Sequence, residues 1–129
     1  MRYWILFLSF TVLFLGACED ILEVPDISDQ QVELLAPSPG SVVNDSIVNF
    51  NWNGVADAEA YSVQIATPNF ENAAQLVLDS LVVIDTTFVG TRISKQLSNR
   101  AYEWRVQALN SGFETGFTVS GFTVDASSN

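Results

Sequence analysis

The stretch Tyr102-Glu103-Trp104-Arg105-Val106-Gln107-Ala108 decides the fold. Apolar and polar residues alternate without a break. A period of two places Tyr102, Trp104, Val106 and Ala108 on one face of a strand and Glu103, Arg105 and Gln107 on the other. An aromatic pair on one side of a strand asks for a second layer of structure to cover it.

The same period recurs on both sides of this stretch. Val48, Phe50 and Trp52 alternate with Asn49 and Asn51, and Tyr61, Val63 and Ile65 with Ser62 and Gln64. Val32-Glu33-Leu34 opens a first strand ahead of the turn cluster Pro37-Ser38-Pro39-Gly40. Gln75–Leu78 and Leu81–Ile84 read as one strand or two, with Asp79-Ser80 between them. Thr87–Ile93 reads as the next strand. After the turn Asn110-Ser111-Gly112, Phe117–Val124 closes the series. Seven short strands with turn signals at roughly 8–12-residue intervals indicate an all-β fold, a sandwich or a barrel. Ala56–Ala60 is the one helix-friendly spot, and it is too short to form an element. Trp52 and Trp104 fall on the buried parity, which makes them core residues rather than sugar-stacking platforms.

Composition narrows the chemistry. The chain has 129 residues, 5 Lys+Arg against 15 Asp+Glu, no His and a single Cys. That is one domain's worth of sequence. It excludes Ser-His-Asp and Cys-His nucleophilic catalysis, His/Cys zinc sites and an intrachain disulfide. A net charge of −10 argues against a nucleic-acid partner, because phosphate binding needs clustered cations. The pairs Asp57/Glu59 and Asp79/Asp85 read as solvated loop acids rather than glycosidase carboxylates, and Asp57-x-Glu59 is too sparse for a calcium loop. The sequence therefore predicts a non-catalytic protein without a cofactor or metal.

Residues 1–17 have the form of a signal peptide. Arg2 precedes the uncharged, mostly apolar run Tyr3–Leu15, followed by the small residues Gly16 and Ala17. The quartet Leu15-Gly16-Ala17-Cys18 resembles the lipobox of bacterial lipoproteins. That resemblance implies cleavage before Cys18 and lipid attachment to its thiol. Residues 18–30 are acidic and contain Pro25, so they are expected to form an extended tether. The acids directly after Cys18 resemble the surface-export signal of one large group of Gram-negative lipoproteins. Together these imply an outer-membrane lipoprotein held by its N-terminal lipid. Residues 31–125 carry the sandwich, and 126–129 form a tail.

Phe50-x-Trp52, Tyr61-x-Val63-x-Ile65, Leu97 and Tyr102-x-Trp104-x-Val106-x-Ala108 resemble the fibronectin type III fold, which implies an immunoglobulin-like, seven-stranded antiparallel β-sandwich. The resemblance covers residues 31–125. It places Tyr102 at a tyrosine corner, Trp52 on strand B and Tyr61 on strand C. The run Tyr102–Asn110 is similar to type III-like domains of Gram-negative surface lipoproteins. Ser98-Asn99-Arg100 stands where Pro-Gly is usual, and a left-handed Asn99 is the expected solution. In such a fold the N-terminus emerges beside the B–C and F–G loops, so Phe113 would face the membrane. Phe70 and Arg100 would then lie at the outward end, as candidate contact residues. Asp45-Ser46-Ile47, Asp79-Ser80-Leu81 and Asp85-Thr86-Thr87 resemble the acceptor of a bacterial periplasmic O-glycosylation system, making Ser46, Ser80 and Thr86 candidate sites. The expected function is a lipid-anchored binding or adhesion module with a protein or carbohydrate partner. The alternative is a structural accessory subunit of an envelope complex, such as polysaccharide uptake or secretion machinery. Exposed aromatics with amides on one rim would mark the first, and an apolar patch on a sheet face or edge strand the second.

Overall fold

A computed structural model describes residues 23–85 and 90–128. Eight strands form two sheets. β1 (Leu34–Ala36), β3 (Ile47–Trp52) and β6 (Arg92–Gln96) make the smaller sheet, in the order β1-β3-β6. β2 (Ser41–Val43), β4 (Ala60–Thr67), β5 (Gln75–Val83), β7 (Ala101–Leu109) and β8 (Thr118–Val124) make the larger, in the order β2-β8-β7-β4-β5. A single 3-10 turn, Ala126–Ser128, follows β8. All pairings are antiparallel except β2 on β8, which is parallel.

The deciding stretch is β7, at the centre of the larger sheet. Its register sets Trp104 opposite Ile65, Val106 opposite Val63 and Ala108 opposite Tyr61 on β4. On its other side Tyr102 faces Phe122 and Trp104 faces Ser120 of β8. Those rows point inward and meet Val48, Phe50 and Trp52 from β3, all buried. The aromatics interlock by their edges. Phe50 meets Trp104 at 5.0 Å between ring centroids and Phe122 at 5.5 Å, and Trp52 meets Tyr61 at 5.5 Å, all edge-to-face. This geometry sets the positive ring edge on the negative ring face. The core is thus the two indoles and their neighbours, as the alternation in the sequence requires.

Two elements differ from the sequence reading, and a third takes one of the two forms it left open. The expected seven strands are eight, because Ser41–Val43 forms the short β2. Gly40 takes φ +75° and donates its N–H to Gly121 O at 2.8 Å, which swings the chain onto β8. Gln75–Val83 is one continuous strand that runs through Asp79-Ser80. A bulge where the β4 register shifts, between Ile65 and Ala66, absorbs the extra residue. β6 begins at Arg92, later than the expected Thr87–Ile93. Gly90 has φ +75°, a conformation foreign to a strand, and β6 starts two residues after it, with Ile93 opposite Phe50. Residues 86–89 of that expected strand lie outside the described residues.

The segment before β1 also departs from its expected form. Ile27 is 2% exposed and Val32 is buried, so the described part of the tether, 23–30, lies against the sandwich.

Candidate functional site

The faces of the larger sheet are unlike each other. The inner one is core. On the outer one, the polar parity of β7 meets the polar parity of β4, and a ladder of side chains crosses three strands. Arg105 Nε donates to Gln64 Oε1 at 2.8 Å, and Gln64 Nε2 donates to Asp79 Oδ1 at 3.2 Å. The amide of Gln64 therefore stands between a cation and an anion and satisfies both. The Arg105 guanidinium also lies 4.1 Å from the centroid of Phe70 and 4.3 Å from that of Phe117. Each such cation–π contact contributes about 0.5–1 kcal/mol at an exposed site.

Phe70 reaches this face from the loop between β4 and β5. Its N–H donates to Glu103 Oε1 at 2.9 Å, and Thr67 Oγ1 donates to Ala101 O at 2.6 Å, which hold the loop against the start of β7. Phe70 is half-buried on Arg105, so its aromatic surface belongs to the sheet face and not to a free loop tip. Arg100, in the turn before β7, is exposed at the same end of the sandwich; its carbonyl accepts the N–H of Val124 at 2.9 Å. Around the ladder the outer face is apolar. Leu81 is 62% exposed, Val83 54% and Leu76 49%, all on β5, and Val119 of β8 is also exposed. Residue-by-residue reading missed this patch because its members look like ordinary strand residues until β5 is seen to be an edge.

The tyrosine corner is present. Tyr102 OH donates to Ser98 O at 2.8 Å, with Ser98 Oγ at 3.2 Å. Asn99 does not take the left-handed conformation expected of it; Asp57, with φ 68°, is the non-glycine residue that does among those described. The Asn99 side chain instead accepts the N–H of Ala126 at 2.9 Å, tying the turn to the end of β8.

The opposite end gathers the N-terminal segment and two loops on one side chain. Asn110 Nδ2 donates to Pro25 O at 2.8 Å and to Asp57 O at 3.3 Å, while its Oδ1 accepts the N–H groups of Gly112 and Phe113. Val24 packs onto Gly112, where an added Cβ would come within 3.4 Å of it. Phe113 sits beside this junction, 37% exposed. Ser28 Oγ and N–H both bond to Asp26 and hold its carboxyl below the usual carboxylate value.

Of the candidate acceptor residues, Ser46 lies half-buried just before β3, and its carbonyl accepts the N–H of Leu97 at 2.7 Å. Ser80 is not at a strand end: it is inside β5, opposite Val63 and half-buried on the core side. Thr86 and Cys18 lie outside the described residues. Among the described residues no three His, Cys, Asp or Glu side chains gather into a metal-binding cluster.

The two-sheet sandwich has a counterpart among solved structures. The protein FN3tt aligns over 73% of this chain and 94% of its own, with a TM-score of 0.51 at 14% identity. The fold is fibronectin type III-like. An Fn3-like protein from Clostridium thermocellum aligns over 72% of this chain and 86% of its own, with a TM-score of 0.44 at 17% identity. Domains d3-d4 of the rat CD45 extracellular region align over 95% of this chain and 83% of their own, with a TM-score of 0.43 at 11% identity. No protein-family model and no curated protein matches the sequence. The type III-like fold supplies a rigid frame of two sheets and carries no activity with it.

Proposed function

We propose that the chain is a lipid-anchored, non-catalytic binding module of the bacterial outer membrane, and that the outer face of its larger sheet receives a protein. The observation that carries this reading is the apolar surface of Leu76, Leu81, Val83 and Val119 around a stacked arginine. Arg and aromatic groups in an apolar surround are the usual composition of interface hot spots. That composition favours an assembly role over sugar binding, which would ask for open aromatic rings beside amides; here Phe70 and Phe117 both have a face on Arg105. The anchor is read from Leu15-Gly16-Ala17-Cys18, and the N-terminal segment docked beside Asn110 would put that end of the sandwich nearest the bilayer. Phe70 and Arg100 then lie on the far side, where a partner would approach.

A photo-reactive side chain at position 119, on this face, is expected to cross-link a protein in native envelopes. The same group at position 47, on the outer face of the smaller sheet, is expected not to. Adducts from 47 alone, or from neither, reject the reading. Anchoring is checked separately by labelling with an alkyne fatty acid, which should vanish in Cys18→Ser. Intact-mass measurement tests the glycan sites. Ser46, in a loop, is the position where an added sugar meets least obstruction, and a mass of peptide plus lipid alone removes all three candidates.

A further inference from the structure

Among the described residues the sandwich has four sheet edges, and three are blunted. β1 and β2 are three residues long each, and β6 has five residues including Arg92 and Lys95. Shortness and basic residues are standard protections for an edge that must not pair. β5 differs in each respect. It has nine residues, no proline and no basic residue, and it is terminal in the order β2-β8-β7-β4-β5. Its Ser80–Val83 half follows the bulge and pairs regularly with β4. There Leu81 and Val83 are the exposed apolar residues, with Asp79 on the same face.

We propose that β5 is an acceptor strand. An extended segment of a partner protein adds beside it as a sixth strand, apolar at the positions facing Leu81 and Val83 and basic at the position facing Asp79. This rests on the binding-module reading and specifies its partner. The β5 backbone groups left unpaired among the described strands supply the hydrogen bonds, and alternate side chains of the added strand select the sequence. Charge decides between occupants. The chain is at −10, so a second copy brings like charge against like. A symmetric antiparallel pairing centred on Leu81 would also set each Asp79 against a Val83. A basic strand removes both conflicts, because its cation meets an Asp79 that is so far bonded to the neutral Gln64 amide.

The test joins a peptide of the pattern Val-Thr-Val-Thr-Lys to the C-terminus of the full chain through about 20 Gly/Ser residues, which gives an effective concentration near mM. Amide hydrogen exchange is then followed along β5. The expected result is at least tenfold slower exchange at alternate amides within 79–83. The effect should shrink at least threefold when Glu replaces Lys in the peptide. It should be lost when Pro replaces the central Val, and lost in the Leu81→Lys/Val83→Lys double variant. Unchanged exchange, or protection that is equal with the Glu or Pro peptide, overturns the proposal. So does protection that grows with protein concentration in the absence of peptide, which would mean a second copy. Circular dichroism of the double variant confirms that it remains folded; if it does not, Leu81→Thr takes its place. A cross-link from position 119 that survives the double variant would leave the binding module standing and remove the strand addition alone.

Discussion

Tyr102 shows how one residue can serve two roles. Its ring stacks on Phe122 at 5.5 Å inside the core, while its hydroxyl leaves the core to close the turn at Ser98. The apolar role was legible from alternation, because parity fixes which way the ring points. The polar role was legible only through the resemblance to the type III fold, which puts Tyr102 at a tyrosine corner. The turn itself was not. Ser98-Asn99-Arg100 suggested a left-handed asparagine, whereas Asn99 uses its side chain to reach Ala126, a contact across 27 residues of sequence that no local pattern encodes. Tyr102→Phe keeps the stack and removes the hydrogen bond. It is expected to lower unfolding stability by about 1 kcal/mol. Urea denaturation should show the midpoint falling with an unchanged slope, and a loss below about 0.3 kcal/mol would mean that the corner contributes nothing measurable.

At the level of elements, β3, β4 and β7 were readable because each has an apolar face that alternates long enough to be unmistakable. β2 was not, since three residues cannot display a period, and its partner residues on β8 lie 81 positions further on, Ser41 opposite Phe122 and Val43 opposite Val124. β5 was ambiguous for a different reason. An edge strand buries one side only partly, so Leu76, Leu81 and Val83 dilute the contrast that marks a strand. The outer-face ladder was invisible for the same cause: Gln64, Asp79 and Arg105 are unremarkable polar positions until the β4–β5 and β4–β7 registers align them. That alignment makes a prediction about the stack. Arg105→Lys retains charge but loses the planar fork that lies between two rings and donates to Gln64. In double-mutant cycles with Phe70→Leu and Phe117→Leu, Arg105 is expected to couple to each ring by about 0.5–1 kcal/mol, and Lys at 105 by less than half of that. Equal coupling for the two cations would show that charge alone holds the loop down.

For the whole molecule, the decisive feature is where the N-terminal segment goes. Acidity and Pro25 made residues 18–30 look like a free spacer, and Ile27 carried no periodic signal to say otherwise. In the structure Ile27 is among the most buried side chains, and the segment around it is fastened by Asn110 to two loops at one end of the sandwich. The N-terminal segment therefore leaves the sandwich at a defined end, and under the proposed anchoring that end would face the membrane. Two substitutions separate the contributions to this docking. Ile27→Ala removes buried volume and should cost about 2–5 kcal/mol if the cavity does not collapse. Asn110→Ala removes the bonds to Pro25 and Asp57 and frees two loop N–H groups to water, for about 1–2 kcal/mol. Because Asn110 joins the segment to the loops, limited proteolysis should cut Asn110→Ala in residues 23–31 at least several-fold faster than the parent chain, while β7 stays protected. Ile27→Ala should be cut there faster still. If both variants are cut no faster than the parent, the segment is not fastened to the fold, and the end of the sandwich nearest the anchor is no longer fixed.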